Sequence, residues 1–264
     1  MNTTTIGILG IGRLGEAVAT AALALPDLRA LHVTRRSADR VARLQSADTR
    51  VHPADPADIA RDCDILIVAL RPIDARAVLS ALRLEPRHHV ISLMAEIGLD
   101  ELRALTAGAA SACRLLAMPS VAAGGQILPL YPQTEAADHV FGARNDLLAL
   151  ESEAELMTLW SITGLLSAVL TVGHVAEGWL RDHGVAPDRA TAYTRTLYTD
   201  IHAATAPGFD AGLDHVSTPG GLNLMVRERL LQTGIEPALE AGLDDVHRRL
   251  LAGMARPGTP PADT

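Results

Sequence analysis

Thr5-Ile6-Gly7-Ile8-Leu9-Gly10-Ile11-Gly12-Arg13-Leu14-Gly15 is the stretch of sequence that decides the fold. Its first five residues are mostly apolar and precede a glycine, which is typical of a buried parallel strand. The three spaced glycines lead into an alanine-rich helical segment that ends near Leu23. In dinucleotide-binding proteins these glycines permit a tight turn, a close approach of the pyrophosphate and close packing of helix on strand. The stretch therefore predicts a dinucleotide-binding turn with phosphates at the helix N-terminus, the alternative being a strand-to-helix turn alone.

The end of the second predicted strand, residues 31–34, indicates which dinucleotide binds. Enzymes that use NAD usually have Asp or Glu there, which accepts hydrogen bonds from the ribose hydroxyls. This chain has Thr34, Arg35, Arg36 and Ser37 at that place. A guanidinium binds a phosphate bidentately, so Arg35 and Arg36 favour the 2′-phosphate of NADP(H). The alternative is a pair of solvated arginines ahead of a helix that Ser37 caps.

The composition argues against several classes of protein. The net charge of −8 argues against nucleic acid and anionic membranes as partners. All 23 basic residues are arginine, so neither a Schiff base nor a Tyr-Lys mechanism is available. Cys63 and Cys113 lie in or beside apolar runs and are predicted to be buried thiols of a cytoplasmic protein, with no metal site. We expect neither a signal peptide nor an uncharged stretch long enough to cross a bilayer.

The order of the elements predicts an α/β fold. Strand and helix signals alternate through residues 114–119, the last expected parallel strand, so we predict an N-terminal Rossmann dinucleotide-binding domain over residues 1–150. From residue 151 to 255 the pattern is all-helical. The helical segments have apolar stripes on more than one face, which favours a homodimer through this domain. Residues 256–264 contain three prolines and are predicted to be a disordered tail.

Several segments together resemble the pyrroline-5-carboxylate reductase family, over nearly the whole chain. Leu70-Arg71-Pro72 is similar to the family's Val-Lys-Pro after the fourth strand. Residues 90–100 resemble its Val-Ile-Ser-Ile-Ala-Ala-Gly-Ile-Thr-Leu-Asp, and residues 218–223, Thr-Pro-Gly-Gly-Leu-Asn, resemble its Ser-Pro-Gly-Gly-Thr-Thr. That family reduces a cyclic imine, pyrroline-5-carboxylate, to proline with a hydride from NAD(P)H. The resemblance implies a Rossmann domain and a helical domain that interlocks two subunits.

The resemblance also implies a site for each ligand. NADP(H) would contact the glycine turn, the end of the second strand and the loops after the fourth and fifth strands: Gly10, Gly12, Arg13, Leu14, Gly15, Thr34, Arg35, Arg36, Ala69, Leu70, Arg71, Pro72, Met94 and Ala95. The substrate would lie between the nicotinamide and the Pro-Gly-Gly turn, whose backbone N–H groups bind its carboxylate. The residues implied are Met118, Pro119, Gly220, Gly221 and Leu222.

Four further residues are candidates for a catalytic role. Ser217, Thr218 and Asn223 would supply hydrogen-bond donors near the turn. Glu96 would hold the iminium cation or exclude substrates with a nearby carboxylate, the alternative being an exposed acid before the next helix. An imine that is protonated in solution needs no catalytic acid, so proximity and orientation would supply most of the rate.

The chain departs from the family in its substrate half. The family's Met-Pro-Asn-Thr-Pro is Leu-Leu-Ala-Met-Pro at residues 115–119, and its Gly-Ser-Gly-Pro-Ala-Tyr is Thr-Gly-Leu-Leu-Ser-Ala at residues 163–168. Its paired threonines are Leu222-Asn223, and Glu96 replaces a glycine. We therefore expect an NADPH-dependent reductase of a cyclic imine, and both pyrroline-5-carboxylate and a different imine stay open as its substrate.

Two other functions stay open at this point. One is a non-catalytic NADP(H)-binding regulatory or interaction protein, which would keep the glycine turn and lose the polar substrate contacts. The other is a reductase or dehydrogenase that acts on a different amine or carbonyl substrate. A carbonyl reductase must protonate an alkoxide, and the sequence shows no Tyr-Lys or His-Asp donor set for that step.

Overall fold

The computed structural model describes residues 4–255, which fold into two compact units. The first unit comprises residues 4–160 and 247–255, and the second comprises residues 161–246. The sequence placed the domain boundary ten residues earlier, after residue 150. The predicted tail, residues 256–264, lies outside the described residues.

The first unit is built on one eight-stranded sheet. Its strands are β1 (Thr4–Leu9), β2 (Leu28–Thr34), β3 (Val51–Ala54), β4 (Ile65–Val68), β5 (His89–Ser92), β6 (Ser111–Leu115), β7 (Ile127–Tyr131) and β8 (Asp146–Ala149). The helices between them are α1 (Arg13–Leu23), α2 (Ala38–Ala47), α3 (Pro56–Asp62), α4 (Pro72–Ser80), α5 (Leu99–Leu105) and α6 (Glu135–Phe141). The N-terminal Rossmann domain is thereby confirmed.

The strand order is β3-β2-β1-β4-β5-β6-β7-β8. The strands from β3 to β6 are parallel, and the order reverses at β1 and β4, which is the ligand-binding crevice of doubly wound sheets. The parallel series of strands that the sequence predicts is confirmed through β6, but the sequence missed β7, which runs antiparallel to β6, and β8, which pairs in parallel with β7. The sixth strand is also shorter than expected and ends at Leu115.

Successive residues of the central strands point to opposite faces of the sheet, and each face has its own core. Ile6 and Ile8 pack into the cluster on one face, while Leu9 and Leu66 pack into the cluster on the other. Helices cover both faces, which explains why these strands are apolar throughout. Cys63 and Cys113 are buried free thiols as predicted, and burial raises the pKa of Cys63 to about 12 and of Cys113 to about 11.

The second unit is helical. It comprises a 3-10 turn (Ile162–Gly164), α8 (Leu165–Asp182), α9 (Pro187–Ala204), α10 (Phe209–Val216), α11 (Leu222–Leu231) and the first part of α12 (Ile235–Ala255), while α7 (Glu153–Ser161) leads into it. Helices α8 and α9 pack closely where Gly173 faces the Tyr198 ring; a Cβ at Gly173 would lie 2.9 Å from that ring. Tyr198 Oη donates to the Val169 carbonyl at 2.5 Å. The short helix α10 was not predicted from the sequence.

One helical stretch among residues 4–255, Glu153–Asp182, is long and apolar enough to cross a membrane by length and composition alone. The expectation that no stretch has this length was wrong, because residues 156–176 contain no Asp, Glu, Lys or Arg. The 3-10 turn at Ile162–Gly164 interrupts the stretch, and 28% of its apolar window is buried. A single helix of this kind is weak evidence for a membrane span, since core helices of soluble proteins meet the same criteria.

A buried arginine organises the loop after β5. The Arg114 side chain is 0% exposed, and its Nη2 donates to the carbonyls of Met94 at 3.2 Å and Ala95 at 2.7 Å. Its Nη1 forms an ion pair with Glu153, and its guanidinium lies 5.3 Å from the Trp160 ring centroid. Burial lowers the pKa of Arg114, and the Glu153 carboxylate opposes that shift. The pair therefore fixes the backbone of the β5–α5 loop.

We expect Glu153→Ala to lower the free energy of unfolding by about 3–5 kcal/mol, because it leaves the Arg114 charge buried without its counter-ion. Glu153 Oε1 also accepts the Leu99 N–H at 2.7 Å, so the start of α5 loses a partner as well. Urea unfolding measures the change. The control is Glu85→Ala, which removes an exposed pair with Arg87 and should cost about 1 kcal/mol or less. An equal loss of unfolding free energy in the two variants would show that the buried pair stabilises the protein no more than the exposed pair does.

Candidate functional site

The glycine turn after β1 has the geometry that the sequence predicts. Gly10 has a φ of 101°, and its N–H donates to Thr34 Oγ1 at 2.9 Å, which ties the turn to the end of β2. A Cβ at Gly15 would lie 2.0 Å from the Gly10 carbonyl oxygen, so α1 packs directly on the turn. A Cβ at Gly12 would meet nothing within 4 Å, so the space in front of Gly12 is open.

The N-terminus of α1 is left without a side-chain cap. Gly12 is its N-cap residue, and no side chain accepts a hydrogen bond from the first turn there. Arg13 is exposed and Leu14 is half-buried at this end. Uncapped N–H groups and the positive end of the helix dipole favour an anion at this position. The turn and the helix together therefore fit a pyrophosphate.

Arg35 and Arg36 follow β2 with exposed side chains, and the strand ends without an acidic residue. The Arg35 guanidinium donates to the Pro53 carbonyl at 3.1 Å and lies 3.9 Å from Asp55. Arg36 Nη1 lies 3.1 Å from Asp74 Oδ2. Ser37 precedes α2 as its N-cap residue, but its side chain makes no capping hydrogen bond. The alternative interpretation of this segment as a capped helix start therefore lacks its capping bond.

The loop after β4 lies against the glycine turn. The Ala69 N–H donates to the Leu9 carbonyl at 2.8 Å, and a Cβ at Gly10 would lie 2.5 Å from the Ala69 carbonyl oxygen. Leu70 is half-buried beside it. Arg71 is the N-cap residue of α4, whose first residue is Pro72. Ala69 and Leu70 thus lie against the turn, and Arg71 and Pro72 follow them at the start of α4.

The loops after β5 and β6 carry the remaining candidates of the first unit. Met94 and Ala95 expose their carbonyls to Arg114, and Glu96 follows them. The Glu96 carboxylate lies 3.7 Å from Arg249, and its side chain faces Gly253 in the last turns of α12. Met118 is half-buried and Pro119 is exposed at a 3-10 turn (Pro119–Ala122). Because these loops follow parallel strands, they share the carboxyl edge of the sheet with the glycine turn.

The remaining candidates lie in the second unit, in the turn between α10 and α11. Gly220 has a φ of 72°, and the Gly221 N–H donates to the Thr218 carbonyl at 2.9 Å. Gly221 is the N-cap residue of α11 and provides no side-chain cap, so the N–H groups of the first turn are available to an anion. The residues around it are Ser217, which is half-buried, and Thr218, Leu222 and Asn223, which are exposed.

Asn223 has a defined structural contact in this turn. Its Nδ2 donates to the Val216 carbonyl at 3.0 Å, which joins the start of α11 to the end of α10. Leu222 is 81% exposed, so an apolar side chain stands where the resemblance implies a threonine. The turn therefore offers backbone donors and an apolar surface.

Sequence reasoning missed two residues that shape the site. Asp74 pairs with both Arg36 and Arg71, and Arg114 holds the carbonyls of the β5–α5 loop. An Asp in the first turn of a predicted helix, such as Asp74, is common because it interacts favourably with the helix dipole. The sequence marks Arg114 only as a charged residue inside an apolar strand. Neither cue identifies the partner.

Comparisons with known proteins agree with this geometry. Residues 5–96 match the protein family described as NADP oxidoreductase, coenzyme F420-dependent. No curated protein sequence matches the chain.

Solved structures match over nearly the whole length. Pyrroline carboxylate reductase of Plasmodium falciparum with NADP bound is 14% identical, with 96% of this chain and 99% of that chain covered and a TM-score of 0.78. The 1-pyrroline-5-carboxylate reductase of Streptococcus pyogenes is 15% identical, with 95% and 99% covered and a TM-score of 0.78. The reductive aminase of Aspergillus terreus in complex with NADPH4, cyclohexanone and allyl amine is 19% identical, with 94% and 88% covered and a TM-score of 0.55.

The first unit therefore has the strand order and the glycine turn of a Rossmann dinucleotide-binding domain, and its residues 5–96 are similar to the NADP oxidoreductase family. The whole chain has the fold of the pyrroline-5-carboxylate reductases. The resemblance predicted from the sequence motifs is confirmed at this level.

Gly12→Ala and Gly15→Ala form a matched pair that separates folding from cofactor binding. We expect Gly15→Ala to lower the free energy of unfolding by about 1–3 kcal/mol, because its Cβ would overlap the Gly10 carbonyl. Gly12→Ala should cost about 1 kcal/mol or less and weaken NADPH binding about tenfold or more, because its Cβ enters the open space expected for the pyrophosphate. Urea unfolding without cofactor and fluorescence titration with NADPH measure the two effects. Unchanged NADPH affinity in Gly12→Ala would contradict this location of the pyrophosphate.

Proposed function

We propose that the protein is an NADPH-dependent reductase of a C=N bond in a cyclic imine, similar to the pyrroline-5-carboxylate reductases. The observation that carries the proposal is a complete dinucleotide turn with two arginines at the end of β2, in a chain with this fold.

The residues of the first unit have separate roles toward NADP(H). The N–H groups at Gly12, Arg13 and Leu14 bind the pyrophosphate, and Gly10 and Gly15 hold the turn that presents them. Arg35 and Arg36 bind the 2′-phosphate, since a guanidinium matches a phosphate bidentately.

The loops that follow the other parallel strands complete the cofactor site. Residues 69–72 after β4 and residues 94–95 after β5 would contact the cofactor from these loops. When bound, the cofactor supplies the hydride.

The turn of residues 217–223 has the donor set for the substrate. The uncapped start of α11 offers backbone N–H groups to an anionic or carbonyl oxygen, and Ser217 and Thr218 add hydroxyl donors. Gly220 and Gly221 leave the backbone accessible, while Leu222 favours a substrate with apolar surface. Met118 and Pro119 add apolar surface in the first unit.

Reduction of an iminium requires no catalytic acid from the protein. An iminium is protonated before it binds, so the side chains need only orient it and exclude water. Glu96 is the candidate carboxylate for the iminium, and the Arg249 guanidinium 3.7 Å away partly offsets its charge. Arg249 therefore weakens the support for that role, which Glu96→Gln tests through kcat/KM at unchanged NADPH affinity.

The first experiment measures NADPH oxidation with racemic pyrroline-5-carboxylate and then with larger cyclic imines. We expect oxidation with at least one larger imine. Gly221→Ala should lower kcat/KM for that imine about tenfold or more and leave NADPH affinity unchanged, because its Cβ would lie 2.5 Å from Thr218 Oγ1 and displace the turn. Gly242→Ala is the control, since a Cβ at this glycine of α12 meets nothing within 4 Å.

Each outcome of this assay has a distinct meaning. Turnover of pyrroline-5-carboxylate alone would show that the altered motifs are tolerated in a proline-forming enzyme. Tight NADPH binding without turnover of any imine would contradict the reductase and favour a non-catalytic NADP(H)-binding protein. Turnover of carbonyl compounds alone would place the chain in a different class of reductase.

We also propose that the protein is a homodimer through its helical unit. Large apolar side chains on α8 and α9 are more than 45% exposed: Leu166, Val169, Leu170, Val172, Val175, Trp179, Tyr193, Leu197 and Ile201. Together these side chains form a larger apolar surface than monomeric proteins usually expose. A second copy of the chain would cover it by an isologous contact.

We expect light scattering after gel filtration to give twice the chain mass of 27.9 kDa. The double variant Leu170→Glu/Leu197→Glu should give the monomer mass, because it places charges in the buried centre of the contact. Glu177→Gln on α8 serves as a control with an unchanged dimer. A monomeric wild-type chain would contradict the dimer, and flotation of the wild-type chain with lipid vesicles would assign the apolar surface to a membrane.

A further inference from the structure

A single carboxylate connects two arginines of the proposed cofactor site. Asp74 Oδ2 lies 2.8 Å from Arg71 Nε and 3.1 Å from Arg36 Nη1. Arg36 follows β2 and Arg71 precedes α4, so the bridge joins the loops after β2 and β4. These strands flank β1 in the sheet. The loops that Asp74 connects therefore lie on either side of the glycine turn.

The two arginines are held by one oxygen atom and keep most of their donors. The side chains of Arg36 and Arg71 are 72% and 70% exposed, while that of Asp74 is 25% exposed. Within residues 4–255, neither guanidinium makes another hydrogen bond. The Arg71 hydrogen bond, helped by Arg36, holds the pKa of Asp74 below its usual range, so the carboxylate is ionised at neutral pH.

We propose that Asp74 is a specificity-determining residue of the cofactor site, where its carboxylate competes with the 2′-phosphate of NADP(H) for Arg36. The inference rests on the proposed NADP(H) site. A phosphate that binds Arg36 carries up to two negative charges and comes within a few Å of the carboxylate, and like charges at that distance repel. NADH has hydroxyls in that place and meets no such repulsion. Asp74 therefore narrows the preference for NADPH over NADH.

A purely structural role for Asp74 predicts a different result. Asp74 lies in the first turn of α4, where a carboxylate interacts favourably with the helix dipole. Asp58 has the same place in α3, two residues after the proline that begins the helix, and it pairs with Arg61. If stabilising the helix is the only role, neutralising Asp74 and neutralising Asp58 should have the same effect on cofactor binding.

The test is a fluorescence titration of the full chain with NADPH and with NADH. Asp74→Asn should tighten NADPH binding about threefold to tenfold, as expected for removal of one like charge near a phosphate in a solvated site. Its affinity for NADH should change less than twofold. The NADPH effect should shrink at high salt, because mobile ions screen exposed charges. Asp58→Asn is the matched control and should leave both affinities unchanged.

Two further variants make the test independent of one substitution. Asp74→Ser removes the charge, keeps a hydroxyl near the helix start and should shift the affinities in the same direction. In an Arg36→Ala background, Asp74→Asn should have a smaller effect on NADPH affinity, since the residue for which the two anions compete is gone.

The outcomes separate this inference from the proposed function. Suppose that the wild-type chain binds NADPH and that Asp74→Asn leaves the ratio of NADPH affinity to NADH affinity unchanged or lowers it. This result would contradict the competition of Asp74 with the 2′-phosphate and would leave the proposed cofactor site supported. If the wild-type chain binds neither nucleotide, the proposed function fails and the inference fails with it. Tighter NADPH binding by Asp74→Asn, with unchanged NADH affinity, supports both the proposed cofactor site and the role of Asp74.

Discussion

The first unit depends on a steric constraint at the crossing of β1, α1 and the loop after β4. No side chain fits at Gly10 or Gly15, because a Cβ would lie 2.5 Å from the Ala69 carbonyl oxygen or 2.0 Å from the Gly10 carbonyl oxygen. The absence of both side chains brings the start of α1 directly onto the end of β1. That close packing aims the uncapped N–H groups of α1 into the crevice where the strand order reverses. The anion site is thus a consequence of backbone packing.

Much of the first unit was predictable because its strands are buried on both faces and read as continuous apolar runs. Strands β7 and β8 lack that signal: β7 contains Pro129, and most of the residues of β8 are exposed. A proline in a short apolar run argues against a strand, and all the more against a strand such as β7 that pairs on both sides. The eight-residue helix α10 was missed for another reason. It follows Pro207-Gly208 and has too few turns to show a clear helical period in the sequence. Local patterns therefore identified the elements with a clear apolar signal and missed β7, β8 and α10.

Part of the candidate site could also be predicted from the sequence. Glycine spacing and the arginines after β2 are local signals that a chemical argument can interpret. Arg114 pairs with the distant Glu153, and Asp74 pairs with the distant Arg36 as well as with the nearby Arg71. The significance of both residues appears only when the fold brings the distant partners together. The Glu96–Arg249 contact is of the same kind, since it joins the loop after β5 to the last turns of α12. Electrostatic partners across the fold are the part of a site that a single sequence leaves open.

Backbone donors are common to the proposed cofactor site in the first unit and the proposed substrate turn in the second unit. The proposed anion sites at α1 and α11 consist of N–H groups at helix starts with glycine N-caps, and backbone donors do not depend on the identity of the neighbouring side chains. At α11 the exposed Leu222 can therefore alter which substrate surface fits while the donors stay in place. Asn223 preserves the turn through the Val216 carbonyl, so the turn keeps its shape without the paired threonines. Around α1 the same freedom is absent, because Gly10 and Gly15 are in contact with backbone atoms on both sides. A side chain added at Gly10 or Gly15 would therefore disturb the turn itself, whereas a substitution at Leu222 would change only the surface beside the start of α11.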